Sequence, residues 1–145
     1  MRTGPIDGIQ LGAIVLFDLR GRLLPVASVS NPGGANPGRQ TPDKLVAYQD
    51  GAALTDLDAD YTQSIIRGSH GKWFDGNFAT GSQQAIIDLS LAAPAHVGSH
   101  WFLTAPDVAR RDPVEWSLLA QLANGESQQL HSVSAADPNI DKPLS

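Results

Sequence analysis

Residues 104–116 read "TAPDVARRDPVEW" and lie between two apolar runs, "HWFL" (residues 100–103) and "WSLLAQL" (residues 116–122). Two arginines, two aspartates, a glutamate and two prolines fall within this short stretch. Such density of charge fits either an active-site loop or a rigid corner whose charges hold it between two strands. Pro113 lacks an N–H and has a fixed φ, which suits the entry to a strand. Arg111 has a planar fork that matches a carboxylate, Asp107 or Asp112, or a set of loop carbonyls. Trp116 can bury its ring if its indole N–H finds an acceptor. The corner reading makes Asp107, Arg111, Asp112 and Trp116 structural residues. The chain also offers no Ser, His and Asp in a recognised catalytic order and no carboxylate pair set out for glycoside hydrolysis. The expectation is a protein that is not an enzyme.

Outward from the corner, the chain reads as short strands and turns. Residues 8–26, "GIQLGAIVLFDLRGRLLPV", have β-branched and alternating character around Ile14, Val15 and Phe17, with "DLRGR" as a turn, so strand–turn–strand is expected. Residues 30–43 hold Asn-Pro-Gly twice, from Asn31 and from Asn36, and read as a loop set by its prolines and glycines. "LVAYQDGAALTDL" (residues 45–57) has room for one short helical turn. "QAIIDLSL" (84–91) and "AHVGSHWFLTA" (95–105) read as strands. "VEWSLLAQLA" (114–123) fits a helix by period, and fits equally a strand entering a hairpin at Asn124-Gly125. A polar tail follows from about residue 134. The pattern predicts an all-β antiparallel sandwich, residues 1–145 forming one domain.

Composition narrows the function. The chain has 145 residues, 41% of them hydrophobic and 17% charged, enough apolar content for a core. A formal net charge of −5 with no basic stripe argues against a nucleic-acid partner. No apolar run is long enough to span a bilayer, so no membrane insertion is expected. Asp7 and Asp18 bracket the early apolar patch and no small-residue cleavage site follows it, so it does not read as a signal peptide. The absence of cysteine removes disulfides, thiolate metal sites and Cys nucleophiles, and leaves the compartment open.

Several phrases, taken in order, resemble the galactose-binding-like sandwich family, the discoidin or coagulation-factor type C fold shared with many carbohydrate-binding modules. They are "YQDG" (48–51), "GKWFDGNF" (71–78), "QAIIDLS" (84–90) and "HVGSHWFLTAPDVARRDPVEWSLLAQLANGESQQL" (96–130). The likeness covers most of residues 8–133 and is most specific over 104–130. Three features depart from the family's pattern. The spacer between Asp50-Gly51 and Lys72-Trp73 is long, Ala120-Gln121 stands where Gly-Ser is common, and Gln129 stands where a Trp often sits. The chain also stops at Ser145, before the closing strands many members carry. The resemblance therefore implies a jelly-roll sandwich that is minimal, truncated at its C-terminus, or completed by a partner.

The same resemblance implies a non-catalytic recognition module that binds glycan or another ligand through loops at one end. Tyr48, Tyr61, Trp73 and Asn77 are its candidate contacts, the aromatics because sugar C–H faces pack on rings, although by the same resemblance Trp73 more often packs in the core beside the turn. It also implies a structural calcium ion near the "DG" turn, with Asp50 and Thr55 as contributors. A solvated acidic loop is the competing reading, because the run Asp56, Asp58, Asp60 lacks the Gly and Glu a helix–loop–helix calcium site would need next, Tyr61 and Arg67 standing there. His96 and His100 are four apart, but no third ligand accompanies them, and one solvent-facing and one packed histidine is the simpler reading. The other function class is a structural or accessory subunit of a larger assembly, with a partner protein and no small-molecule ligand.

Overall fold

The computed structural model describes residues 7–49, 71–80, 84–105 and 107–134. These residues fall into two compact units that divide between Asp112 and Pro113. The first holds β1 (Ile9–Leu11), β2 (Ala13–Phe17), β3 (Val26–Ser30), β4 (Trp73–Asp75), β5 (Asp88–Leu91) and β6 (Ser99–Leu103). A 3-10 segment, Pro42–Gln49, a single turn α1 (Asn77–Thr80) and a 3-10 turn, Ala109–Arg111, complete it. The second holds β7 (Trp116–Gln121) and β8 (Ser127–Val133). The fold is all-β: strands in small antiparallel sheets, with little helix.

In the first unit the strands pair across long stretches of sequence, β1 with β4, β2 with β6 and β3 with β5. The run "IQLGAIVLF" supplies β1 and β2, and Gly12 is where it changes partner. Gly12 N–H donates to the Leu103 carbonyl at 2.7 Å, and a Cβ there would lie 3.0 Å from the Thr104 carbonyl oxygen. The inward face also changes parity at Gly12. Ile9 and Leu11 before it and Ile14 and Leu16 after it join one core with Leu24, Leu45 and Trp73. Ala13 and Val15 face the other way, into a second cluster with Leu23 and Tyr48. β2 is thus buried on both faces, which is why its sequence is apolar throughout rather than alternating.

The turn expected at "DLRGR" forms, but the strand after it does not stay beside β2. Asp18 N–H donates to the Arg22 carbonyl at 2.7 Å, Phe17 bridges Leu23, and Leu24 N–H donates to the Leu16 carbonyl at 2.8 Å. Pro25 then has no N–H to continue the ladder. The Gln49 side chain takes over the next residue, accepting from Val26 N–H at 2.9 Å and donating to the Val26 carbonyl at 3.1 Å. β3 pairs with β5 instead, with an irregularity between Val26 and Ser28. The helical turn expected near residue 45 is the 3-10 segment Pro42–Gln49, which buries Leu45 and Tyr48. The strand expected over residues 84–91 is shorter than that: β5 begins only at Asp88.

The second unit is a hairpin, so the strand reading of residues 114–123 is the one realised. Gly125 has φ 85° and donates its N–H to the Leu122 carbonyl at 2.9 Å, while Asn124 Oδ1 accepts from Glu126 N–H at 2.9 Å. Asn-Gly at these two places provides a residue able to take the left-handed conformation and a side chain able to close the turn. The ladder slips between Leu118 and Leu119, leaving Leu130 as the extra residue of a bulge.

Candidate functional site

Two polar constellations and one exposed patch stand out in the first unit. The first constellation joins the Asn-Pro-Gly loop to the "WFDGN" segment. Asp75 is buried, and its Oδ1 accepts from Ala35 N–H at 3.0 Å and Asn77 N–H at 2.9 Å. Asn36 Nδ2 donates to the Phe74 carbonyl at 2.9 Å and to Asn31 Oδ1 at 3.1 Å. Asn31 Nδ2 donates to the Ile86 carbonyl at 2.8 Å, and its Oδ1 accepts from Trp73 Nε1 at 3.3 Å. Asn77 Nδ2 donates to the Gly33 carbonyl at 3.0 Å. Asn-Pro dipeptides suit this work: proline sets the turn and the asparagine amide supplies both a donor and an acceptor.

The second constellation gathers residues 107–111. β1 and β4 carry Gln10 and Phe74 opposite each other, on the face turned away from Ile9 and Leu11. Residues 107–111 pack over that face. Gln10 has 0% exposure; its Nε2 donates to the Val108 carbonyl and its Oε1 accepts from Lys72 Nζ, both at 2.9 Å. Lys72 also forms an ion pair with Asp107. The Arg111 guanidinium lies 4.7 Å over the Phe74 ring and forks onto Asp7, Nε to Oδ1 at 2.8 Å and Nη2 to Oδ2 at 2.5 Å. The fork of Arg111 thus goes to Asp7, from the start of the chain, a partner the sequence reading did not name. Sequence spacing could not reveal it, because Asp7 is 104 residues away. Pro113 and Trp116 belong to the second unit.

The electrostatics follow from these contacts. The Arg111 hydrogen bonds hold Asp7 at a pKa of about 2, below its ordinary 3.8, against a smaller opposing effect of burial. The Lys72 hydrogen bond lowers Asp107 in the same way, and the bond to Asp7 raises Arg111. A carboxylate with a depressed folded-state pKa contributes stability that is present above its unfolded value and lost as pH falls through the folded value. Asp7 will therefore hold the corner fully above pH 3.8 and release it as pH falls through about 2. Urea titration of the wild type and Asp7→Asn over that window checks this: the gap between them narrows as the solution is acidified. Asp7 is half-exposed, so the gap is small, and a gap that does not change with pH would show that the fork contributes nothing.

The residues singled out as ligand contacts have separate environments. Tyr48 is 3% exposed, with its OH donating to the Ile14 carbonyl at 2.9 Å, and Trp73 is 2% exposed in the main core. Neither ring presents a face to solvent. Asn77 is exposed and ties the loop at Gly33. Tyr61, Asp50 and Thr55 lie outside the described residues, as do Asp56, Asp58 and Asp60. Among the described residues no three His, Asp or Glu side chains gather as a metal set. His96 is exposed, and His100 sits edge-on to Phe102 with ring centroids 5.3 Å apart.

The exposed patch was not singled out by sequence. Leu19 is 74% exposed at the turn between β2 and Leu23. Trp101, on β6, is 37% exposed and meets Phe17 edge-on, centroids 5.0 Å apart. Arg20 and Arg22 are exposed in the same turn. The available signal was the apolar Leu19 inside an otherwise polar turn. No protein-family model, curated protein or solved structure matches this chain.

Proposed function

We propose that this chain is a non-catalytic recognition module built on a galactose-binding-like jelly-roll sandwich. The observation that carries the reading is the corner. In the most charge-dense loop of the sequence, Arg111 is committed to Asp7 and Phe74, and Asp107 to Lys72, as supports for residues 107–111 on the β1–β4 pair. Charges spent on holding a loop are not poised for proton transfer or nucleophilic attack. Antiparallel pairing of β1 with β4, β2 with β6 and β3 with β5, rather than of neighbours in sequence, supports the jelly-roll form. With Tyr48 and Trp73 enclosed, Trp101, 37% exposed, is the ring on which a glycan would stack.

A second reading, an accessory subunit of a larger assembly, is favoured by the β7–β8 hairpin. Neither strand contains Lys, Arg, Asp, Glu or Pro, and Leu119, Leu122 and Leu130 are exposed. Natural sheet edges are usually guarded by such residues, and a two-stranded hairpin is marginal by itself. Among the described residues no third strand pairs with it.

Native mass and glycan-array binding on the same purified, calcium-replete chain test both. A monomer that binds a defined sugar, and loses it in Trp101→Ala, supports recognition of glycan. A chain that aggregates alone, gives a blank array and becomes soluble only with a co-expressed partner makes it an assembly subunit. Turnover of a substrate that disappears in Arg111→Lys would overturn the non-catalytic reading.

A further inference from the structure

We propose that the turn at residues 18–22, together with Trp101, is a docking surface for an acidic protein partner that offers an apolar pocket. This deepens the recognition reading and rests on it.

The turn is rigid. Asp18 Oδ1 accepts from Arg20 N–H at 2.8 Å and from Arg22 N–H at 2.9 Å. Gly21, with φ 79°, donates its N–H to the Asp18 carbonyl at 3.1 Å. Gly98 packs against the turn from behind: a Cβ there would lie 2.5 Å from the Asp18 carbonyl oxygen and 2.9 Å from Leu19 Cα. Leu19 is therefore held out in water by a braced backbone. Keeping a leucine exposed forgoes the burial of its side chain, which a partner's pocket would recover. A backbone already braced also loses little entropy on docking.

The chemistry of the surface selects the partner. Leucine and two arginines stand on the turn, and Trp101 meets Phe17, the residue that leads into it; Trp and Arg are enriched among the residues that carry binding energy at protein interfaces. Around Leu19 stand two positive charges and one negative, and the Asp18 carboxylate already accepts two backbone N–H groups. The tip is positive on a chain of net charge −5, so an acidic rim on the partner complements it locally while the rest of the chain repels misplaced approaches. An anionic bilayer fits less well. Lipid-binding basic segments bring clusters of about four to eight basic residues, and two arginines are too few for stable attachment of an acidic chain.

A random peptide library displayed on phage and selected on the intact chain provides the test. Enriched peptides are expected to combine Asp or Glu with large apolar residues. A synthetic copy of the strongest should lose about tenfold or more in affinity to Leu19→Ser and to the double variant Arg20→Glu, Arg22→Glu. The double variant Arg20→Lys, Arg22→Lys should retain most of it. Leu19, Arg20 and Arg22 are exposed, and an unchanged melting temperature confirms that each variant is folded. Peptides that bind all variants equally would overturn the docking surface and leave recognition standing elsewhere on the chain. No selected peptide together with a blank glycan array would overturn both. Leu19-dependent binding to phosphatidylserine vesicles, or a Leu19-dependent dimer by native mass, would also overturn the proposal, by making the occupant a bilayer or a second copy.

Discussion

Trp73→Ala will destabilise the protein by about 3–5 kcal/mol, the usual cost of emptying a buried aromatic site. Trp73 is 2% exposed and lies in the cluster with Ile9, Leu11, Ile14, Leu16, Leu24 and Leu45, so its removal opens a cavity that several strands line. It also removes the Nε1 donor that reaches Asn31 Oδ1 at 3.3 Å, and with it one tie between the Asn-Pro-Gly loop and β4. Total stabilities of about 5–15 kcal/mol make this a large fraction of what holds the fold. Trp73→Phe keeps most of the volume and should cost markedly less. Urea denaturation of the three proteins measures the order. A loss below about 1 kcal/mol for Trp73→Ala would show that the ring is not packed as described. A variant that keeps its stability but loses a ligand would place Trp73 in a binding surface instead.

Gly8→Ala will cost about 1–3 kcal/mol by overpacking. A Cβ at Gly8 would lie 2.3 and 2.4 Å from two carbons of the Phe74 ring and 2.8 Å from the Asp75 carbonyl oxygen. The ring cannot simply swing aside, because the Arg111 guanidinium lies over it. Shifting Phe74 should therefore unseat Arg111 from Asp7. The acid-dependent part of stability assigned to Asp7 should shrink in Gly8→Ala along with the overall loss. Retention of the full acid step in a destabilised Gly8→Ala would separate the ring from the fork and refute that coupling.

The elements closest to local rules were the most legible in the sequence. Residues 8–26 read as strand–turn–strand because β-branched runs flank a Gly-containing turn, and Asn124-Gly125 marked a hairpin because few dipeptides suit that turn as well. All of these depend on residues within a few positions of one another. Which strand pairs with which did not follow. β3 leaves β2 for β5 once Pro25 ends the ladder, and β1 pairs with β4 across 60-odd intervening residues, so loop closure and core packing decide the partner.

The candidate site divides along the same line. Sequence alone determined that this chain lacks cysteine chemistry, carries net charge −5, and favours short strands joined by Pro- and Gly-rich turns, because these are properties of composition and local conformation. Tertiary structure decided what each side chain faces. It enclosed Tyr48 and Trp73, because the 3-10 segment and β4 fold their rings into the two cores. It gave Arg111 to Asp7, and it left Leu19 and Trp101 in solvent. Residue type says what chemistry a side chain can do, but exposure and partner are set only when distant segments close over one another.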